Sequence, residues 1–141
     1  MATSTPLTRG RPVNVLLGYV LGGVYLLVGL LGFTVSGGHS FADHDGGLLL
    51  GIFMVNPLHN VVHLAVGAAL ALAARNGLAA SRAVNITVGA VYLLVAVLGL
   101  FILDSDANLL ALNSADNGLH FASAAALLGA GLLADKRRTA A

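Results

Sequence analysis

Four helices crossing a lipid bilayer, paired as two tandem hairpins in an all-α bundle, are the architecture this sequence predicts. Three observations predict it. The chain is 57% hydrophobic and only 9% charged over 141 residues, where soluble domains carry about a quarter charged residues. Its charges are segregated between alternate connections. The chain also repeats itself: Gly22-Gly23-Val24-Tyr25-Leu26-Leu27-Val28 returns as Gly89-Ala90-Val91-Tyr92-Leu93-Leu94-Val95, and a polar stripe follows each copy. The length suits one domain over residues 1–141, with repeat one at about 13–75 and repeat two at about 82–135. Each repeat holds an even number of spans, so the halves share one orientation about a pseudo-twofold axis along the membrane normal.

Residues 1–12 are polar, carry Arg9 and Arg11 and have no periodicity, which predicts a short mobile cytoplasmic tail. Val13 to Val35 is long enough to cross a hydrocarbon core of about 30 Å. It exceeds the apolar region of a signal peptide and has a later counterpart, so it reads as a retained helix. Ser36 to Gly47 is a Gly-rich loop with His39, Asp43, His44 and Asp45. Leu48 to Val55 is apolar but too short to cross, and reads as an interfacial or half-inserted segment.

Helix two starts where Asn56 supplies an N-cap and Pro57 the first helical residue. It runs to about Ala74, some 27 Å at 1.5 Å per residue, and ends at Arg75-Asn76-Gly77. Ala79 to Arg82 completes a short turn, and helix three covers roughly Ala83 to Leu103. A second acidic loop, Asp104 to Leu112, leads to the Asn113 N-cap of helix four, with Asp116 at N3 in a capping-box arrangement. That helix reaches about Ala134.

All seven basic residues fall in the N-tail, the middle turn (Arg75, Arg82) or the C-tail (Lys136, Arg137, Arg138). Five of the six acids lie in the other two loops or at the start of helix four. The positive-inside rule then places both termini in the cytoplasm and both polar stripes at the outer face. The absence of cysteine removes disulfides, thiolate metal sites, cysteine nucleophiles and covalent haem attachment. No basic patch with interleaved aromatics points to nucleic acid. The lipid bilayer is the expected partner, with room for a homo-oligomer or a larger membrane complex.

The stripes are the candidate site. Asn56, His59, Asn60 and His63 share one helix face, as do Asn113, Asp116, Asn117 and His120. Such side chains are expensive inside a membrane and usually face the bundle interior. If the two stripes meet, His59, His63, Asp116 and His120 form a plausible ligand set for zinc or another first-row metal. Asn60 and Asn117 would orient the imidazoles from the second shell.

A b-type haem between His63 and His120 is a weaker alternative, because it leaves His59 and both Asn residues unexplained. A proton relay lacks a continuous path, since Tyr25 and Tyr92 are expected to lean inward, away from the histidines. The structural alternative assigns Asn56 and Asn113 to capping and the remaining stripe to interhelical hydrogen bonds. Gly18 and Gly22 have the spacing of helix packing. No Ser-His-Asp triad, phosphate loop or paired-carboxylate hydrolase signature points to an enzyme.

Asn56-Pro57-Leu58-His59-Asn60 with His63, followed by Ala115-Asp116-Asn117 with His120, resembles a bacterial membrane protein family catalogued as domain of unknown function 4383. The resemblance covers nearly the whole chain. It implies four transmembrane helices, the bacterial inner (plasma) membrane and no established activity. It also implies an aromatic or aliphatic residue where this chain has Gly118, and so a looser start to helix four here.

The expected protein is a small integral membrane protein whose His/Asn/Asp cluster near the outer leaflet binds a metal ion or small polar ligand. The alternative is a structural or assembly subunit held together by that cluster.

Overall fold

Apolar runs interrupted by small residues build helices that can approach closely, and such helices dominate this fold. The computed structural model describes residues 10–136, in which four helices and one small hairpin follow in the order α1 (Val13–Ser36), β1 (Gly47–Leu49), β2 (Phe53–Val55), α2 (Pro57–Arg75), α3 (Leu78–Ile102) and α4 (Ser114–Leu133). The expected mobile N-tail falls mostly on residues 1–9, and Arg137 and Arg138 of the basic tail on 137–141, outside the described residues.

Helices α1, α2 and α3 are long and apolar enough to cross a membrane. α4 has the length but is less apolar, because Ser114, Asp116, Asn117, His120 and Ser123 interrupt its 20 residues. Leu16, Leu30, Leu94, Leu100 and Phe101 are exposed on the outside of the bundle. In water such a surface would drive aggregation; against lipid tails it is satisfied. These are the features of a membrane protein.

The closest packing joins α1 to α2 and α3 to α4, with α2 against α3 and α1 against α3 next. Small residues set the approach. A Cβ added to Gly22 would lie 2.9 Å from the Ala71 nitrogen, and one on Gly67 would lie 2.7 Å from the Leu26 nitrogen. Gly18 likewise seats against Leu70 and Ala74, so the spacing of Gly18 and Gly22 does serve helix packing. At mid-depth the core is Tyr25, Leu70, Tyr92, Ala124 and Leu127, with Val66 and Val88 packed against it.

Two segments differ from the sequence expectation. Leu48 to Val55 is an antiparallel hairpin with Gly47 opposite Val55 and Leu49 opposite Phe53. Leu50 and Gly51 both have positive φ (55° and 75°), and the Ile52 N–H donates to the Leu49 carbonyl. That is the geometry of a tight hairpin turn. The uniform apolarity of the run concealed the reversal, which rests on Gly51 and on pairing that satisfies the backbone.

Helix α3 begins at Leu78, not Ala83. Gly77, at φ 97°, turns the chain within one residue, so no separate turn over 79–82 is needed. Ser81 becomes a helix residue whose hydroxyl donates to the Gly77 carbonyl.

At the end of the bundle where α1 begins and α4 finishes, Asn14 and Asn85 are completely buried. Asn14 Nδ2 donates to the Ala130 carbonyl and to Asp135 Oδ2, while Asn85 Nδ2 donates to Asn14 Oδ1. Helix α1 has Pro12 at its N-cap and no side-chain cap of its own. Asp135 supplies one from 121 residues away, accepting from the Val13 and Asn14 N–H groups at 3.1 and 2.9 Å. Desolvation raises the Asp135 carboxyl, but these hydrogen bonds and the nearby Arg82 charge outweigh it and hold the group below its ordinary value.

Candidate functional site

At the opposite end, the two polar stripes open α2 and α4. Asn56 caps α2 by accepting the His59 N–H at 2.9 Å, and Pro57 stands at the first helical turn. Asn113 accepts the Asp116 N–H while Asp116 Oδ2 accepts the Asn113 N–H, completing the capping box. Both caps reach further. Asn56 Nδ2 donates to the carbonyls of Asp43 and Leu109, tying the two loops together. Asn113 Nδ2 donates to the Ile52 carbonyl, and Asp116 Oδ2 also accepts the Met54 N–H. The β-hairpin and the 104–112 loop are thereby fastened over the helix ends. Asn108, which the sequence did not single out, is fully buried and folds its own loop by bonding Leu103 and Leu112.

Beneath this cap, His59, His63 and His120 converge. One ring nitrogen from each lies within 4.8 Å of the others. The three residues are 1%, 3% and 4% exposed. The main chains of α2 and α4 are not in close contact, so the imidazoles meet by reaching across the bundle. The His59 and His63 rings are 4.4 Å apart, and those of His59 and His120 6.0 Å. Neither nitrogen of His59 or His63, nor Nδ1 of His120, has a hydrogen-bond partner.

Of the four ligands expected from the sequence, the structure therefore brings three together. Asp116 does not join the group; its Oδ2 accepts from both the Asn113 and the Met54 amides. Its place at N3, one turn above His120, turns it toward the cap.

Asn60 and Asn117 do not hydrogen-bond the imidazoles as a second shell would. Asn60 Nδ2 donates to Ser36 Oγ, and the Oδ1 atoms of Asn60 and Asn117 have no partner. Each amide instead fills the space above a glycine: a Cβ on Gly32 would run into Asn60, and one on Gly99 into Asn117. Gly32 and Gly99 stand at the same place in the two repeats, so the repeat itself carried the signal for these seats.

Tyr25 and Tyr92 do not lean away from the histidines. Their rings lie 5.4 Å from His63 and 5.1 Å from His120. The tilt of a Cα–Cβ bond is small beside the reach of a phenol ring toward an imidazole. The Tyr25 hydroxyl donates to Ser123 Oγ at 2.6 Å.

Of the loop residues, His44 Nδ1 stands 2.8 Å from Asp43 Oδ1 and 3.9 Å from Asp106, all at the surface and apart from the three-histidine group. Gly118 has open space around it, and the capping box starts α4 without help from a side chain there.

Two polar stripes, one on α2 and one on α4, thus close on a buried histidine cluster within a bundle of apolar helices. A family model described as a domain of unknown function, DUF4383, matches residues 16–133. The chain belongs to the DUF4383 family. No curated protein and no solved structure matches it.

Proposed function

We propose that this protein is a small integral membrane protein of the bacterial inner membrane in which His59, His63 and His120 bind a first-row transition metal, zinc foremost. The observation that carries the reading is the convergence of three buried imidazoles, five of whose six nitrogens are buried without a partner. Buried polar groups left unpaired cost about 1–3 kcal/mol each, and several in one place ask for a ligand. Zinc takes imidazole nitrogens at about 2.0–2.1 Å, so tetrahedral ligand atoms sit about 3.3 Å apart. Small rotations of side chains already within 4.8 Å reach that spacing. Asp116 serves the capping of α4 in this reading.

The two hairpins are related by a pseudo-twofold axis along the membrane normal, all four helices cross, and both termini are cytoplasmic. The support is the matched pairing of Gly32 with Asn60 and of Gly99 with Asn117, together with the segregation of basic residues. The cluster then lies near the outer leaflet.

Haem is disfavoured by the rings packed on His63 and His120: Tyr25 and Tyr92, 5.4 Å from each other, fill the space a macrocycle would need. The alternative of a structural or assembly subunit draws on Asn56, Asn113 and Asp116, whose bonds run to backbone of the cap. It draws nothing from the histidines.

Elemental analysis of gently purified protein beside a His63→Ala/His120→Ala double variant tests the metal reading. Near-stoichiometric zinc, iron or copper, absent from the variant, is the expected result. A folded, unmutated protein that takes up no metal overturns it.

A further inference from the structure

Tyr92 is the buried group this arrangement leaves unexplained. The residue is 3% exposed, its ring lies beside His120, and its hydroxyl has no hydrogen-bond partner. The two repeats differ at one position that accounts for this. In the register that matches His63 with His120, Val66 of α2 corresponds to Ser123 of α4. Ser123 engages the Tyr25 hydroxyl. Val66 packs against the same core and offers Tyr92 no polar atom. One tyrosine is therefore tied, while the hydroxyl of the other stands beside that of Tyr25 without a well-formed hydrogen bond and keeps its proton to donate.

A metal on three imidazoles is one ligand short of the four that zinc or cobalt(II) takes in such sites. No Cys, Asp or Glu among the described residues joins the group. The unpartnered oxygens of Asn60 and Asn117 cannot donate a hydrogen bond. The Tyr92 phenol can.

We propose that the metal keeps an exchangeable fourth position for a small anion or water-derived ligand, and that the Tyr92 hydroxyl holds this ligand by donating a hydrogen bond to it. The assignment rests on the metal reading above. It makes the cluster a ligand-binding centre closed to bulk water by the hairpin and the 104–112 loop, and not a saturated structural site.

Cobalt(II) loaded into the purified full-length protein, titrated with azide and followed by its visible absorption, tests the assignment. Azide should shift the cobalt bands of the unmutated protein. Tyr92→Phe should retain cobalt and bind azide roughly tenfold more weakly, the factor at the low end of the range for a hydrogen bond to a charged partner. Val66→Ser leaves every ring in place and gives Tyr92 a hydroxyl partner, so it too should weaken azide.

Unchanged azide affinity in both folded variants overturns the proposal, as does bound cobalt that is indifferent to azide. Loss of cobalt from a folded Tyr92→Phe protein also overturns it, since Tyr92 would then be a metal ligand. Failure of the unmutated protein to bind cobalt overturns the metal reading, and the Tyr92 assignment falls with it.

Discussion

The two ends of the bundle bury polar groups in opposite ways. At the end where α1 begins and α4 finishes, Asn14, Asn85 and Asp135 hydrogen-bond one another and the main chain, and Asp135 caps a helix that has no cap of its own. At the other end, His59 and His63 are as deeply buried, and no ring nitrogen of either makes a well-formed hydrogen bond, although the Leu110 and Met54 backbone lies beside His59. Burial of polar side chains in an apolar bundle is therefore not by itself a sign of function. The difference lies in how far the protein satisfies them: in the first network only Asn85 Oδ1 is left without a partner, whereas five imidazole nitrogens are in the second. A paired network closes the fold, and an unpaired cluster of metal-ligating atoms is reserved for something else.

The sharpest way to break this contrast is chelation. Removing metal should lower the thermal stability of the unmutated protein in detergent, by about 4 kcal/mol for a metal held at a thousand times its dissociation constant. It should do nothing to the His63→Ala/His120→Ala variant or to the Asn14 end. A melting curve unmoved by chelator in metal-loaded protein would make the two ends equivalent.

Next in size are Gly32→Ala and Gly99→Ala. Each drives a methyl into an asparagine amide in a tight helix contact and should cost about 1–3 kcal/mol. Similar losses at the two sites would support the symmetry of the repeats, and a loss at one alone would weaken it.

Asp135→Ala should cost about 1–2 kcal/mol, the usual effect of losing an N-cap, whether or not metal is present. Its pH dependence has a definite sign. The folded carboxyl is held below its ordinary value of 3.8, so its contribution is complete above that pH. The contribution shrinks as pH falls below 3.8 and is gone beneath the folded value. Acid melts of the unmutated protein and the variant should therefore converge. The smallest effect is expected at Gly118→Ala, where open space admits a methyl and relief of helix glycine should add about 0.5–1 kcal/mol. A thermal melt above that of the unmutated protein is the expected outcome.

Much of this molecule could be read from its residues. The starts of α2 and α4 were carried by Asn56-Pro57 and by the Asn113/Asp116 capping box, because capping is a contact between residues three apart. The ends of α1 and α2 followed from the lengths of apolar runs. The hairpin is not legible there, because a run such as Leu48 to Val55 has no alternation to betray a strand, and its reversal depends on the conformation of Leu50 and Gly51.

Membership of the cluster was only partly readable. His59, His63 and His120 were named from their spacing, but whether Asp116 points into the bundle or up to Met54 depends on how the hairpin packs above it. The place of Tyr25 and Tyr92 against the imidazoles is hidden from the sequence for a related reason. It depends on the relative depth of antiparallel helices, which no local pattern encodes.

Composition, charge order and the internal repeat were enough to establish apolar helices, their capped starts and the shared polar stripe, since each depends on neighbours a few residues apart. The three-histidine convergence, the exclusion of Asp116, the free Tyr92 hydroxyl and the capping of α1 by Asp135 all required the assembled fold. Each joins residues from helices far apart in the chain, and their meeting is set by how closely glycine and alanine faces let those helices approach.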